Sequence, residues 1–211
     1  MYKYIKTSRG EIKYTPTHFE VGTKIIDIEK SKDNLLIFKR VMDKNNLKFG
    51  LIYGTLLGAI RENNFISHDE DTDVYILDED REELLDTLHD LISSGFTVGR
   101  YVDNLISIVR DGEYIDIYIF SKHHFGYRIC NGEIIKERYL TKTIKYNFLN
   151  SYFNIPKDYE DCLVSLYGKD WKTPIKDYHP ANYPFLTQIK YKLVDRFPST
   201  YKFIKQILKG V

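Results

Sequence analysis

The feature that most constrains this chain is a pair of acids that leads directly into a run of β-branched and aromatic residues. Asp71 and Asp73 stand two apart in the segment DTDVYIL. Side chains two apart in a strand point to the same face of the sheet, so both carboxylates are expected on one face. Two like charges at that spacing repel each other, and a divalent cation between them keeps both ionised. The pattern therefore indicates a metal-assisted phosphoryl or nucleotidyl transferase.

A third acid, Asp116, lies in the middle of the predicted strand EYIDIYIF. Isoleucines occupy one face of this strand, and Tyr114, Asp116 and Tyr118 occupy the other. A buried carboxylate without a partner costs several kcal/mol or takes up a proton. A metal ion shared with Asp71 and Asp73 would remove that cost. The alternative is an edge strand whose polar face lies in water.

Charge and cysteine content exclude several classes of protein. The chain has 31 Lys and Arg against 30 Asp and Glu, so it has no overall field that attracts nucleic acid. Cys130 and Cys162 lack the spacing of a metal or redox motif, and His123 and His124 with Cys130 do not form a zinc pattern. Neither a signal peptide nor a membrane-spanning run is evident in the sequence. We therefore expect a reduced, cytoplasmic protein without disulfides.

Hydrophobic spacing predicts a mixture of helices and strands, that is, an α+β fold. Helices are expected over about residues 25–45, 55–63 and 81–95, and strands over about residues 47–53, 71–77, 96–101, 105–110 and 114–120. Asp111-Gly112 is a hairpin signal between the last two strands. The chain up to Thr23 is expected to form a short strand or hairpin, and the region up to Phe153 is expected to be extended. Without repeats or linkers, residues 1–211 are expected to form one domain, in which residues 156–211 are a helical annex.

The turn between the strand of residues 47–53 and the following helix is a candidate phosphate site. Gly54 permits a close approach of the backbone, and the start of a helix offers unpaired N–H groups to an anion. Thr55 adds a hydroxyl group, and Arg61 lies about two turns further on. The structural alternative is that Gly54 forms a turn, that Thr55 caps the helix and that Arg61 is a solvated or ion-paired residue.

Two segments carry a resemblance to a known family. They are YGTLLGAIRENNFISHDEDTDVYI and, further on, FNIPKDYEDCLVSLYGKDWKTP. In this order and at this separation they resemble the LicD family of phosphotransferases, which is related to phosphocholine transferases and fukutin-type enzymes. The resemblance implies a polymerase-beta-type nucleotidyltransferase core, in which a small mixed sheet is flanked by helices, with a helical C-terminal part.

The resemblance also implies roles for individual residues. Asp71, Asp73 and Asp116 would hold Mg²⁺, with Mn²⁺ as an alternative, while Gly54 and Thr55 would meet the phosphates. The sequence departs from the family pattern at four positions near the acids, which leaves donor and acceptor open. These positions are Ser67, His68, Glu70 and Thr72.

Asp116 is a candidate general base, although metal ligation competes for the same oxygen atoms. His68 is the alternative proton acceptor, and its structural alternative is a hydrogen bond to a neighbouring acid.

By resemblance, the expected reaction moves a substituted phosphate from a nucleotide-linked donor such as CDP-choline to a hydroxyl of a cell-surface glycan. Two alternatives stay open: transfer of a nucleoside monophosphate to a small molecule or protein, and a non-catalytic glycan- or nucleotide-binding module. The C-terminal tail has apolar Tyr201, Ile204, Ile207 and Leu208 opposite lysines. This basic amphipathic helix would either close the core or lie on the inner face of a membrane, where a lipid-linked acceptor would be found.

Overall fold

We analysed a computed structural model, which describes residues 2–19 and 24–174. The chain divides into a unit of Met1–Lys169 and a unit of Asp170–Val211, and all elements given below lie in the first. The predicted C-terminal amphipathic helix lies outside the described residues. Within those residues, no helix is both long and apolar enough to span a bilayer.

Helices and strands alternate irregularly along the described chain. The helices are α1 (Ile28–Lys44), α2 (Tyr53–Arg61), α3 (Arg81–Ser93), α4 (Glu137–Thr141) and α5 (Tyr159–Tyr167). The strands are β1 (Lys3–Thr7), β2 (Gly10–Tyr14), β3 (Gly50–Leu51), β4 (Thr72–Leu77), β5 (Thr97–Val102), β6 (Leu105–Arg110), β7 (Glu113–His123), β8 (Tyr127–Cys130), β9 (Glu133–Lys136), β10 (Thr143–Phe148) and β11 (Ser151–Pro156).

One mixed sheet dominates the described residues. Its main path runs β10-β11-β3-β4-β7-β6-β5, and the long β7 continues beyond it to pair with β8, which pairs with β9. The pairs β4–β7 and β11–β3 are parallel, and the other pairs are antiparallel. The predicted α+β class is confirmed, although the sheet is larger than expected.

The two faces of the central strands differ in chemistry. On one face Val74, Ile76, Ile115, Ile117 and Ile119 are fully buried. Helices α1 and α3 pack together and cover the sheet through contacts with β7 and β5. The opposite face of β4 and β7 carries Asp73 and Asp116. Because β-strand side chains alternate, the apolar core on one face fixes the acids on the other.

The N-terminal hairpin of β1 and β2 docks on α3. The side chain of Ser8 bonds to Asp86, and Arg9 forms an ion pair with Asp90. The chain then continues along the main sheet, where the N–H of Thr17 donates to the carbonyl of Gly99 at 2.8 Å. The predicted hairpin is therefore confirmed.

Two local predictions around α2 are wrong. The strand expected over residues 47–53 is reduced to Gly50–Leu51, because Tyr53 adopts a left-handed backbone conformation with φ of 47° and begins the helix. Thr55 therefore lies inside α2 instead of capping it, and the capping residue is Ile52, whose side chain makes no capping bond. A left-handed backbone is strained for a bulky residue, and such strain is often found at functional sites.

Most other local predictions agree with the structure to within a few residues, but the region expected to be extended up to Phe153 contains the short helix α4. Asp111 and Gly112 form the predicted hairpin with positive φ angles of 54° and 83°. Helix α5 lies in the region expected to be helical. Cys130 and Cys162 are both buried, and neither forms a disulfide within the described residues.

Candidate active site

A row of four polar side chains crosses the acid-bearing face of the sheet, one from each of four adjacent strands. Asp73 of β4 is opposite Asp116 of β7. Asp116 is opposite Ser107 of β6, and Ser107 is opposite Arg100 of β5. Residues that are register partners point to the same side of a sheet. The strand order therefore brings together residues that are up to 43 positions apart (73 to 116).

Both carboxylate oxygens of Asp116 have partners within this row. Nη2 of Arg100 donates to Oδ2 at 2.7 Å, and the hydroxyl of Ser107 donates to Oδ1. Nε of Arg100 also donates to the Ser107 oxygen at 2.8 Å. Burial raises the pKa of Asp116, while the charge of Arg100 and the bond from Ser107 act in the opposite direction.

The first turn of α2 closes directly over Asp73. The N–H of Gly54 donates to Oδ2 of Asp73 at 3.0 Å, and the Asp73 N–H donates to Oγ1 of Thr55 at 2.8 Å. A Cβ atom on Gly54 would lie under 3.0 Å from Oδ2 of Asp69 and 3.2 Å from Oδ2 of Asp73. Glycine is therefore required here because acids occupy the space that a side chain would need.

Asp69 is a member of this site that the sequence analysis missed. Its side chain lies against Gly54, and burial raises its pKa. Its charge also contributes to raising the pKa of Asp71 and of Asp73. The alternation of acids at positions 69, 71 and 73 was the signal that could have found it. We call Asp69, Asp71, Asp73 and Asp116 the acid cluster.

Burial, followed by electrostatic repulsion, sets the electrostatics of Asp71 and Asp73 in the acid cluster. Asp71 precedes β4 by one residue, and its pKa is raised well above the usual value by burial and then by the charges of Asp116 and Asp69. Asp73 is 5% exposed, and its pKa is raised by burial and then by Asp71. Carboxylates that are crowded in this way become easier to ionise when a cation lies among them.

The donor set of the acid cluster fits a hard divalent cation. Carboxylate oxygens are the ligands that Mg²⁺ prefers, and the cluster contains several of them beside one guanidinium. With the side chains as they stand, however, no three His, Cys, Asp or Glu residues in the described chain are arranged to hold a metal ion together. Asp116 is turned to Arg100 and Ser107, and Asp73 to Gly54, so binding would require these bonds to change.

Two further candidate residues lie apart from the row. Arg61 pairs with the adjacent Glu62 at 2.6 Å, and no described contact joins it to the acid cluster. His68 is exposed on the turn before the acids, and its charge lowers the pKa of Asp69. The structure thus brings His68 near the acid cluster and gives Arg61 a local partner.

Aromatic rings surround the acid cluster on the same face. Tyr53 and Tyr118 meet edge to face with centroids 4.8 Å apart, and the Tyr53 hydroxyl donates to Glu133 at 2.7 Å. Phe19 packs on Tyr114 with centroids 4.5 Å apart. Burial and the nearby acids raise the pKa of Tyr114 and Tyr118. These rings are suited to exclude water and to stack on a base or a cationic group.

Most residues of this site lie in the part of the chain that is similar to known proteins. A family model described as "LicD/FKTN/FKRP, nucleotidyltransferase domain" matches residues 46–181, which include the whole acid cluster. An uncharacterized protein of Rickettsia typhi is 27% identical over 154 residues, or 71% of this chain and 47% of that protein. An uncharacterized protein of Rickettsia prowazekii is 26% identical over 201 residues, or 90% of this chain and 72% of that protein.

The chain thus spans about half the length of the first of these relatives. Among solved structures, the lincomycin-bound lincosamide antibiotic adenylyltransferase LnuA is similar with a TM-score of 0.49 and 10% identity, covering 76% of this chain and 95% of that one.

Proposed function

Because this chain belongs to the LicD/FKTN/FKRP family of nucleotidyltransferase domains, we propose that it moves a substituted phosphate from a nucleotide-diphosphate-linked donor to a hydroxyl of a cell-surface glycan. CDP-choline is the leading donor, since phosphocholine transfer is what the sequence resemblance implies. The family supports transfer of a phosphate or nucleotidyl group, and the choice of donor and acceptor is our proposal.

The observation that carries the proposal is the acid cluster itself. Asp73 and Asp116 share one face of the sheet, Asp69 and Asp71 lie in the segment that enters β4, and burial raises the pKa of each carboxyl. Nearly complete burial of Asp73 and Asp116 has no structural benefit that an apolar pair would not supply better. Such an arrangement is typical of a site that is completed by a cation and a phosphate ligand.

In the proposed site, Asp71, Asp73 and Asp116 hold Mg²⁺ or Mn²⁺. The bound cation would supply charge neutralisation for the diphosphate of the donor and for the leaving nucleoside monophosphate. Asp73 would exchange the Gly54 N–H for the cation, which leaves that N–H at the start of α2 for a phosphate oxygen. In our proposal Thr55 does not bind a phosphate, because its buried hydroxyl oxygen already accepts the N–H of Asp73.

Proton removal from the acceptor hydroxyl is the remaining task. We propose Asp116 for it, through a carboxylate oxygen that does not hold the cation, because this residue is opposite Asp73 in the parallel strand pair. His68 is the alternative, since it is exposed and beside Asp69. Replacing His68 with Gln tests the alternative: if His68 is the base, the transfer rate of His68→Gln falls by about 10²–10⁴-fold.

A second candidate function is transfer of the nucleotide itself. The family description as a nucleotidyltransferase domain favours it. The two reactions break different bonds of the same donor, so the mass added to the acceptor distinguishes them. Phosphocholine transfer adds the substituted phosphate and releases the nucleoside monophosphate, whereas nucleotide transfer adds the nucleoside monophosphate and releases phosphocholine.

The test is incubation with CDP-choline, Mg²⁺ and a cell-surface glycan preparation, followed by mass spectrometry of the glycan. We expect phosphocholine addition by the unchanged protein and by Asp33→Asn, in which the same chemical change is made on the exposed side of α1. Asp73→Asn should abolish the addition. Mass gain that persists in Asp73→Asn, or no gain with any nucleotide-linked donor, would overturn the proposal.

We also propose that the reaction takes place at a membrane surface. A lipid-linked acceptor would put the protein at the inner face of a membrane, and the predicted basic C-terminal helix would hold it there. That helix lies within residues 175–211, outside the described chain. Vesicles with and without anionic lipid, in a sedimentation assay with and without residues 199–211, test this contact.

A further inference from the structure

Arg100 owes its position at the acid cluster to an irregularity in β5. Val98 is opposite Ile108, but Arg100 is opposite Ser107, so Gly99 is an extra residue in the ladder. In a regular ladder Gly99 would face Ser107, and Arg100 would move one position along. A β-bulge of this kind redirects a side chain, and bulges occur frequently next to active sites. Here the bulge directs the guanidinium into the row that contains Asp116.

The surroundings of the bulge hold Arg100 in place. A Cβ atom on Gly99 would lie 2.9 Å from both Phe19 Cζ and Val109 Cγ2, so only glycine fits at this point. The Arg100 guanidinium lies over the Phe19 ring, 4.8 Å from its centroid. Stacking on an aromatic ring fixes the plane of a guanidinium. The bulge, Gly99 and the Phe19 ring together fix the position of the Arg100 guanidinium.

The two members of the Arg100–Asp116 ion pair differ in their exposure to solvent. Its side chain is 30% exposed, while that of its partner Asp116 is 4% exposed. The pair therefore has one buried end and one end that reaches solvent. Arg100 uses Nε and Nη2 for Ser107 and Asp116, so Nη1 takes no part in these two bonds. A guanidinium matches a phosphate as well as it matches a carboxylate.

We propose that Arg100 is a positioning residue that acts as the internal counter-ion of Asp116 and turns to the donor phosphates when Asp116 takes up a divalent cation. The inference rests on the proposed function. Without donor, Arg100 competes with the cation for Asp116. With donor, the phosphates offer the guanidinium a new partner, and the competition ends.

Coupling between cation and donor follows from this exchange. A donor that draws Arg100 away from Asp116 raises the affinity for the cation, and by thermodynamic linkage the cation raises the affinity for the donor to the same extent. If Arg100 were purely structural, its mutation would have the opposite effect on cation affinity. In that case, loss of the guanidinium would leave Asp116 misplaced, and cation affinity would fall or stay the same.

The test measures Mn²⁺ binding by electron paramagnetic resonance of the free ion, with and without CDP as the diphosphate probe. In Arg100→Gln we expect Mn²⁺ to bind about tenfold tighter without CDP, and the enhancement by CDP to shrink by about the same factor. Arg100→Lys keeps the charge but cannot bridge Ser107 and Asp116, so its affinity should lie between those of Arg100→Gln and the unchanged protein.

Arg110→Gln is the matched control for these variants. Arg110 is in the neighbouring strand β6, its side chain is 26% exposed, and it pairs with Asp111 and with Asn34 of α1. The change removes the same charge, and we expect Mn²⁺ affinity within about twofold of the unchanged protein, since exposed charges away from a site are largely screened.

The outcomes separate this inference from the proposed function. Mn²⁺ binding that is equal or weaker in both Arg100→Gln and Arg100→Lys overturns the counter-ion role and leaves the proposed function standing. If Arg100→Gln does not fold, the comparison of Arg100→Lys with the unchanged protein decides the question in the same way. An unchanged protein that binds no Mn²⁺, with or without CDP, overturns both.

Discussion

Replacing Gly54 with alanine tests how closely the first turn of α2 is packed against the acid cluster. Two effects oppose each other, because alanine favours a helix over glycine by about 1 kcal/mol. The new Cβ would, however, lie under 3.0 Å from Oδ2 of Asp69 and 3.2 Å from Oδ2 of Asp73. Overpacking of this kind costs about 1–3 kcal/mol. We expect a net loss of up to about 2 kcal/mol, or up to about 8 °C in melting temperature.

A double-mutant cycle shows whether Asp69 causes this loss. Asp69→Ala removes the oxygen that the new methyl group would meet, so in that background Gly54→Ala should be neutral or slightly stabilising. The expected coupling energy is about 1–2 kcal/mol, measured by urea unfolding followed by circular dichroism. Equal effects of Gly54→Ala in the two backgrounds would show that Asp69 does not occupy the space beside Gly54.

Three further predictions concern single side chains. Thr72→Val should stabilise the protein by about 1 kcal/mol in urea unfolding, because within the described chain the buried Thr72 hydroxyl has no hydrogen-bond partner; a loss of stability would refute this. A hydrogen bond from Arg128 lowers the pKa of Glu79 to about 2. The stabilisation by this pair is therefore complete above pH 4.5, the pKa of the group in the unfolded chain, and it is lost as the pH falls through about 2. Glu79→Gln should therefore destabilise at pH 7, and an equal loss near pH 2 would count against the pair. Burial and repulsion raise the pKa of Asp73. Ionisation of Asp73 therefore destabilises the fold at pH values above the pKa that this group has in the unfolded chain, and stability returns as the pH falls. Metal-free Asp73→Asn should consequently melt higher at pH 7, and a lower melting temperature would contradict this.

The parts of the site that could be predicted from the sequence depend on local alternation. Asp73 and Asp116 each stand in a strand whose other face is apolar, so burial of that face fixes their orientation without knowledge of the fold. The turn between a predicted strand and a predicted helix indicated Gly54, and the structure places the Gly54 N–H on Asp73. Family membership is confirmed over residues 46–181.

The remaining parts depend on contacts between distant segments, which alternation does not contain. Arg100 reaches Asp116 only through a bulge at Gly99, and a one-residue shift of register cannot be read from β5 alone. Phe19 joins the site because the N-terminal segment returns along the sheet. Tyr53 starts α2 in a left-handed conformation that no propensity favours, and this moved the helix start away from Thr55.

The measurement that tests the central claim most directly is divalent-cation binding by the acid cluster. Mn²⁺ titration in the presence of CDP, followed by electron paramagnetic resonance, should show saturable binding to the unchanged protein and to Asp33→Asn. Binding should be lost in Asp73→Asn and in Asp116→Asn, each measured on protein whose circular dichroism spectrum matches that of the unchanged chain. Absence of saturable binding in the unchanged protein, or equal binding in all variants, would contradict the account.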